Sequence, residues 1–328
     1  MTTCAEVIAR QRDQLLRQLG RELAPGQRYA LVDHPDHDNI GDSAIWAGAV
    51  RLLRTLSGRP PSYASGLHNH DAADLKRAVP EGPIFITGGG SFGDLYPEFH
   101  AFKLSILRDF PGRRIVQLPQ SLHFRDPDAI ARTAAAIRAH GDFRLMVRDH
   151  QSLAFAQSNF DCEVSLAPDA AFGLGPLQRA AAPSIPVLQF RRRDQESAAD
   201  PVQGAVDWPA EDSEAMQALR WPSRLDSLAA GVWGRNARQV LGLNRLADHR
   251  LARGVALLSQ AEAVVCDRLH VHILCMLLGL PHVFLDNSTG KIGAYHAAWT
   301  SDCALGRPAA DGAEALRLLE RTGRPHDA

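Results

Sequence analysis

Val264-Val265-Cys266-Asp267-Arg268-Leu269-His270 decides how this chain is read. Ala263 to Cys266 is a short apolar run of the kind buried in a sheet. It breaks abruptly into charge, and His272 to Leu278 then continues as an apolar helix. A strand that ends in charged residues and feeds a helix is half of a βα unit. The neighbouring sequence supplies more of them, with Pro186 to Phe190 as a strand before it and His282 to Leu285 as a strand after it. Strands separated by helix-length connections pair in parallel.

The same alternation fills the first half. Tyr29 to Val32, Pro83 to Thr87, Arg114 to Leu118 and Phe143 to Val147 read as strands. Helical periodicity covers Ser43 to Leu56, Leu104 to Phe110 and Ile130 to Ala139, and a further helix begins near Ser152. Glycine, proline and alanine become frequent between Gly173 and Pro186, which places a domain boundary there, with one domain over 1–175 and another over 176–328. At 328 residues the chain exceeds the usual size of a single core. The segment from Asp194 to Pro222 is polar and irregular, with Val202, Val206 and Trp208 as a short further strand.

Composition sets limits. The chain is 45% hydrophobic and 22% charged with a formal net charge of -1, which does not favour a nucleic-acid partner. No apolar run approaches the roughly 20 residues that span a bilayer. The first residues carry no recognisable secretion signal. Five scattered cysteines form no CxxC pair, which fits a reducing cytoplasm, and Cys266 reads as a small buried apolar residue rather than a nucleophile. From Val7 to Leu23 the apolar residues Ile8, Leu15, Leu16, Leu19 and Leu23 share a helical face ringed by arginines. That helix caps the first domain, or it lies on an anionic membrane surface.

Parallel sheets bind ligands beyond the carboxyl ends of their strands, and the candidate site residues stand there. In Asn39-Ile40-Gly41-Asp42, Asn39 can orient a hydroxyl, Gly41 permits close approach, and Asp42 can cap the following helix or act as a base. His34, Asp36, His37 and Asp38 have metal-ligand chemistry, but adjacent loop positions do not make a tetrahedral site, so no metal is expected. Gly89 and Gly90, within Gly88-Gly89-Gly90-Ser91-Phe92-Gly93-Asp94, can offer backbone amides to an anion or a sugar. Asp94 is either a proton acceptor or a turn cap, and Tyr96 and Phe99 offer aromatic faces. The glycines match neither a dinucleotide fingerprint nor a Walker loop, which argues against hydride transfer.

Extended alternation from Cys266 onward would turn Arg268 and His270 to one side. Two readings stand together. A guanidinium and an imidazole there can grip an anion and move a proton, or the arginine pairs with Asp267 or another acid while the histidine caps. Lys291, after Asp286-Asn287-Ser288-Thr289-Gly290, and Arg192 can add positive charge. Arg148 and Asp169 are adequately explained by internal ion pairing.

Taken together these stretches resemble the polysaccharide pyruvyl transferase family over approximately Tyr29 to Trp299. The order carries the likeness: Asp33-His34-Pro35 through Asn39-Ile40-Gly41-Asp42, Gly88 through Asp94, Arg148-Asp149 with Ser152, Pro168-Asp169, Arg192 through Glu196, Arg268-Leu269-His270, and Asp286 through Lys291 with Tyr295 and Trp299. The resemblance implies two Rossmann-like domains facing each other across a cleft, as in GT-B glycosyltransferases. It implies an enzyme that moves a pyruvyl group from phosphoenolpyruvate to a sugar of an exopolysaccharide or other cell-surface glycan precursor, as a ketal, with no cofactor. Arg268, Arg192 and Lys291 then hold the donor, and His270 is the acid. Asn39, Gly41, Asp42, Gly89, Gly90 and Asp94 face the acceptor. It further implies a cytoplasmic enzyme, peripheral at the inner membrane face if the acceptor is linked to polyprenyl diphosphate. The alternatives are a nucleotide-sugar glycosyltransferase of the same architecture and a non-catalytic glycan-binding component.

Overall fold

The computed structural model describes residues 3–193, 202–211, 213–220, 225, 228, 234–286 and 290–322. The chain forms two compact units, one of Arg12–Gly173 with Glu211–His249, the other of Met1–Gln11, Leu174–Ala210 and Arg250–Ala328.

The larger unit is built on seven parallel strands among the described residues: β1 (Ala30–His34), β2 (Tyr63–Gly66), β3 (Ile84–Ile86), β4 (Gly89–Gly93), β5 (Ile115–His123), β6 (Phe143–Val147) and β7 (Glu163–Leu166). Their order is β2-β1-β3-β5-β6-β7, with β4 paired to β5. Helices α2 (Ile40–Ser57), α3 (Ala72–Ala78), α4 (Pro97–Asp109), α5 (Pro127–His140) and α6 (His150–Asn159) supply the crossovers. Their ends follow local chemistry. The Asp126 side chain caps α5 ahead of Pro127, and Gly141 closes it in the left-handed conformation. Strands covered by helices on both faces must be apolar throughout, and Ala30, Leu31, Val32, Ile84, Phe85, Ile86, Ile115 and Val116 are all fully buried.

The glycine stretch departs from the expected loop. Gly89–Gly93 is itself a strand, and its glycines let two backbones touch. A Cβ on Gly93, whose φ is +128°, would stand 1.9 Å from the carbonyl oxygen of His123, and one on Gly88 would stand 2.4 Å from that of Pro119. Sheet contact therefore accounts for much of the glycine content without any ligand.

The smaller unit holds β8 (Ile185–Phe190), β9 (Ala261–Cys266), β10 (His282–Phe284) and β11 (Gly306–Pro308), all parallel, in the order β11-β10-β9-β8. Around them run α8 (Arg235–Ser259, whose carboxyl end lies in this unit), α9 (Leu269–Leu277), α10 (Lys291–Trp299) and α11 (Gly312–Thr322), with α7 (Ser213–Arg220) belonging to the larger unit. The strand expected near Val202 to Trp208 reduces to a single bridge between Val206 and Phe190. Of the polar segment that contains it, residues 194–201, 212 and 221–222 lie outside the described residues.

The first helix, α1 (Cys4–Leu19), has its apolar face packed away. Val7, Ile8, Leu15 and Leu19, with Leu23 beyond its end, are at most 3% exposed. Burying five such side chains is worth on the order of 10 kcal/mol. That stripe is spent inside the protein, so only the polar face of α1 remains for any anionic surface, and Arg10 there is paired with Asp302 at 2.7 Å. No helix among the described residues is long and apolar enough to cross a membrane.

Three histidines pin α9, β10 and α10 together. His282 Nδ1 lies 2.9 Å from the Leu280 carbonyl, which can only accept, so Nδ1 carries the proton and Nε2 must accept. His272 Nδ1 donates to it at 2.7 Å, leaving His272 Nε2 to accept from the Thr300 hydroxyl at 3.0 Å. That hydroxyl in turn accepts from His296 Nδ1 at 2.9 Å. Each ring is thus neutral and defined in tautomer. Burial, with the other histidines adding to it, drives His272 well below the ordinary histidine range and takes His282 to about 4. In the unfolded chain these rings protonate near 6.5, so below that pH protons favour unfolding. The stabilisation is full at neutral pH and is lost as pH falls from about 6.5 towards 4. Urea unfolding at pH 4 should show a loss of roughly 3 kcal/mol from His282 alone, and His282→Gln should flatten that dependence.

Candidate active site

The register of the small sheet assembles one site. Phe190 pairs with Cys266, and Cys266 with Phe284. Two residues past each of these positions stand Arg192, Arg268 and Asp286, so three consecutive strand ends present charge in one row. This row is fastened by carboxylates. Arg268 Nε and Nη2 donate to the two oxygens of Asp207, each at 2.7 Å, a planar two-bond fork. Asp207 Oδ2 also accepts from the Arg193 backbone at 3.0 Å, and Asp267 Oδ1 accepts from the Arg192 backbone at 2.8 Å. Asp286 receives the backbone N–H groups of Ile292 at 3.2 Å and Gly293 at 3.1 Å, which fixes the amino end of α10 and so the position of Lys291.

Strand alternation does not orient Arg268 and His270. β9 stops at Cys266, Arg268 is the extended residue before α9, and His270 lies in the first helical turn. The helix begins earlier than periodicity placed it, and apart from His270 it is buried on all sides, at Leu269 and from Val271 to Leu277. Both side chains still lie at the carboxyl edge of the sheet, delivered by the turn rather than by the strand. The acid pairing expected for Arg268 is made, with Asp207 in place of Asp267. Cys266 is fully buried, and burial pushes its thiol up, which fits a packing residue. Asp194 to Glu196 and Asn287 to Thr289 lie outside the described residues.

In the larger unit the structure gathers the residues after β1 and separates one from them. Asn39, rather than Asp42, caps α2: its Oδ1 accepts from the Gly41 N–H at 3.1 Å. Asp42 sits one turn in, receiving Asn39 Nδ2 at 2.8 Å on Oδ2, with His37 Nε2 at 3.7 Å from the same oxygen. Its other oxygen lies 3.3 Å from where a Cβ on Gly89 would stand, so the missing side chain at Gly89 makes room for that carboxylate. Gly90 follows, partly exposed, and the Phe99 ring meets His37 edge-on at 5.9 Å. This is a partly exposed carboxylate, imidazole and aromatic face in one place.

Asp94 is not part of it. Five residues of strand, roughly 16 Å, separate it from Gly89. Its Oδ2 accepts the backbone N–H groups of Arg125 and Asp126, both at 2.6 Å, and holds the loop that opens α5. Partial burial acts to raise its affinity for a proton, but the Asp126 and Arg125 N–H bonds outweigh it and leave the carboxyl below its ordinary range. A carboxylate so held is a weak base, and it braces the Arg125–Asp126 loop rather than the turn into Leu95-Tyr96-Pro97. His34 is also structural: it is buried against Trp46, with Nε2 3.1 Å from the Leu243 carbonyl.

Sequence reading missed Lys103, whose ammonium is fully buried. Asp33 is an extra residue where β1 slips register against β2, and at φ +67° it is the one described non-glycine residue in the left-handed region. Its carboxylate meets Lys103 Nζ at 2.6 Å, with the side chains 6% and 0% exposed. The same ammonium donates to Ser91 Oγ at 2.9 Å, tying α4 and the β1 bulge to the glycine strand. A lysine within an apolar helical face, Phe102-Lys103-Leu104, was the only available sign. Arg148 and Asp169 form a second buried pair at 2.6 Å, as internal pairing predicts.

The family model of the polysaccharide pyruvyl transferases matches residues 39–289, which reaches from Asn39 through His270 and stops short of Lys291. The chain belongs to the polysaccharide pyruvyl transferase family. It is an enzyme of the pyruvyl-transferase type. It is 31% identical to Pyruvyl transferase 1 of Schizosaccharomyces pombe over 316 residues, covering 92% of this chain and 77% of that one. It is 30% identical to the provisionally named pyruvyl transferase EpsO of Bacillus subtilis over 284 residues, 82% of this chain and 84% of that one. Such coverage extends the likeness over both units rather than to one shared motif. A functionally uncharacterised protein of Klebsiella pneumoniae has the same fold, with a TM-score of 0.60 over 95% of this chain and all of that one at 17% identity.

Removing one partner of a buried ion pair leaves the other charged and unpaired. Lys103→Met should therefore destabilise the protein by about 3–5 kcal/mol in urea unfolding. Asp33→Asn should lose less, since an amide still accepts from the ammonium.

Proposed function

We propose that the protein transfers the pyruvyl group of phosphoenolpyruvate to a hydroxyl pair of a sugar in a polysaccharide precursor, forming a cyclic ketal. The donor is assigned to the small-sheet unit and the acceptor to the larger unit, with the two arranged as in GT-B glycosyltransferases. Family membership supports the transfer. The single structural observation that carries the donor assignment is the row of Arg192 and Arg268 at adjacent strand ends, with Lys291 beginning the next helix.

Phosphoenolpyruvate carries a carboxylate and a phosphate, so its pocket needs several fixed cations. Arg268 is pre-oriented by the Asp207 fork, which leaves little side-chain entropy to lose on binding. Lys291 stands at the amino end of α10, where the helix dipole also favours an anion. His270 gives its proton to the methylene carbon, forming a C–H bond and leaving cationic character on the carbon that bears phosphate. A sugar oxygen attacks that carbon and its proton passes to Asp42, the less encumbered of the two candidate carboxylates. The C–O bond to phosphate then breaks, phosphate leaves with the bonding pair, and Asp42 gives up its proton to solvent. The second hydroxyl attacks the resulting oxocarbenium, and its proton restores His270. Asn39, Gly41, Gly89 and Gly90 shape the acceptor side, and Phe99 offers it an apolar face.

Incubation with phosphoenolpyruvate and a glycan panel, following inorganic phosphate and sugar mass, tests this reading. Phosphate release coupled to a pyruvyl mass gain is expected. Sugar transfer from a nucleotide sugar without phosphoenolpyruvate would overturn it. His270→Gln should slow phosphate release by about 10²- to 10⁴-fold while leaving the urea midpoint within experimental error. Retained turnover would remove His270 from the acid role.

A further inference from the structure

Arg191, next to the residue chosen from sequence, has the more unusual environment. It is 7% exposed, yet its Nε and Nη1 have no hydrogen-bond partner. Only Nη2 is engaged, with Gln189 Oε1 at a long 3.4 Å. Each edge of a guanidinium pairs Nη2 with one of the other two nitrogens, so both edges carry an unused donor. A guanidinium does not shed its proton near neutral pH. A buried permanent charge with unused donors on both edges is costly unless something acidic meets it.

The surroundings sharpen the point. A Cβ on Gly312 would stand 3.5 Å from Arg191 Nη2, which places the guanidinium at the amino end of α11, an eleven-residue helix. That end of a helix carries unpaired N–H groups and partial positive charge. A cation is thus buried against a like-signed pole. The nearby carboxylates have other duties: Asp311 Oδ1 accepts from Glu314 N at 2.8 Å, Glu314 Oε2 from Ala310 N at 2.7 Å, and Asp267 Oδ1 from Arg192 N. Among the described residues no carboxylate forms an ion pair with Arg191.

We propose that Arg191 and the amino end of α11 form an oxyanion subsite that takes a phosphate-class group. The anion class follows from Arg191 itself. Its assignment to the phosphoryl group of the donor, rather than to free phosphate, rests on the function proposed above. In that assignment Arg191 receives the phosphate that leaves before the ketal closes, while Arg268 and Lys291 face the carboxylate.

The test uses the full chain and inorganic phosphate in an otherwise phosphate- and sulfate-free buffer. Phosphate should raise the melting temperature of the wild type, and Arg191→Met should weaken phosphate binding about tenfold to hundredfold. Without phosphate, Arg191→Met should melt at or above the wild type, because the buried charge removed has Asp267 near it but no hydrogen-bonded counter-ion; an ordinary structural arginine would give the opposite. Arg191→Lys, which keeps the charge and loses the planar fork, should bind phosphate with intermediate strength. No phosphate response in the wild type, an unchanged response in Arg191→Met, or a variant melting well below the wild type in phosphate-free buffer would each overturn the subsite. Phosphate inhibition competitive with phosphoenolpyruvate assigns the subsite to the donor's phosphoryl group, and non-competitive inhibition assigns it to free phosphate; Arg191 holds the anion in both. Absence of pyruvyl transfer with intact, Arg191-dependent phosphate binding would count against the proposed function alone.

Discussion

The parallel register of the small sheet is the constraint on which the candidate donor site depends. Phe190, Cys266 and Phe284 lie side by side because their strands pair in parallel, so residues at equal distances beyond them emerge at one edge. Fixed geometry alone would gather like charges and repel them. Asp207 and Asp267 prevent that by holding Arg268 and the Arg192 and Arg193 backbone. The result is one guanidinium fixed by a two-bond fork, with the backbone of two further arginines anchored beside it.

The larger unit solves a different problem. Its glycine strand and the turn after β1 must approach one another closely enough for Asp42 to sit against Gly89. The buried Asp33–Lys103 pair, with its bond to Ser91, clamps that approach from beneath. A left-handed Asp33 is a strained conformation for a residue with a side chain, and the lysine bond that it makes is what holds it. Asp42 is left half-buried with few obligations, whereas Asp94 is tied to two backbone amides. Two carboxylates in glycine-rich turns thereby acquire different chemistry.

Helix ends recur in both units as the means of placing polar groups. Asn39 opens α2, Asp286 opens α10 and Arg268 precedes α9. For Asn39 and Arg268 a strand stops and the chain enters a helix after a short turn, which leaves these polar residues at the sheet edge. Arg191 is the exception, because its side chain stays under α11.

Periodicity and composition alone determined a good deal: alternating strands and helices, their parallel pairing, and the placing of Arg192, Arg268, Asp286 and Asn39 at strand ends. These are local properties, set by which residues can be buried and how long each run is. The partners were not legible. Asp207 lies 61 residues from Arg268 in a polar stretch without periodicity, and Lys103 lies 70 residues from Asp33 (103 minus 33). Nothing in either neighbourhood foretells the other, because an ion pair is chosen by which chain segments the fold brings within a few ångströms. Only the tertiary structure decided that two backbone amides occupy Asp94 while Asp42 stays accessible, and which of three adjacent arginines is buried with unused donors.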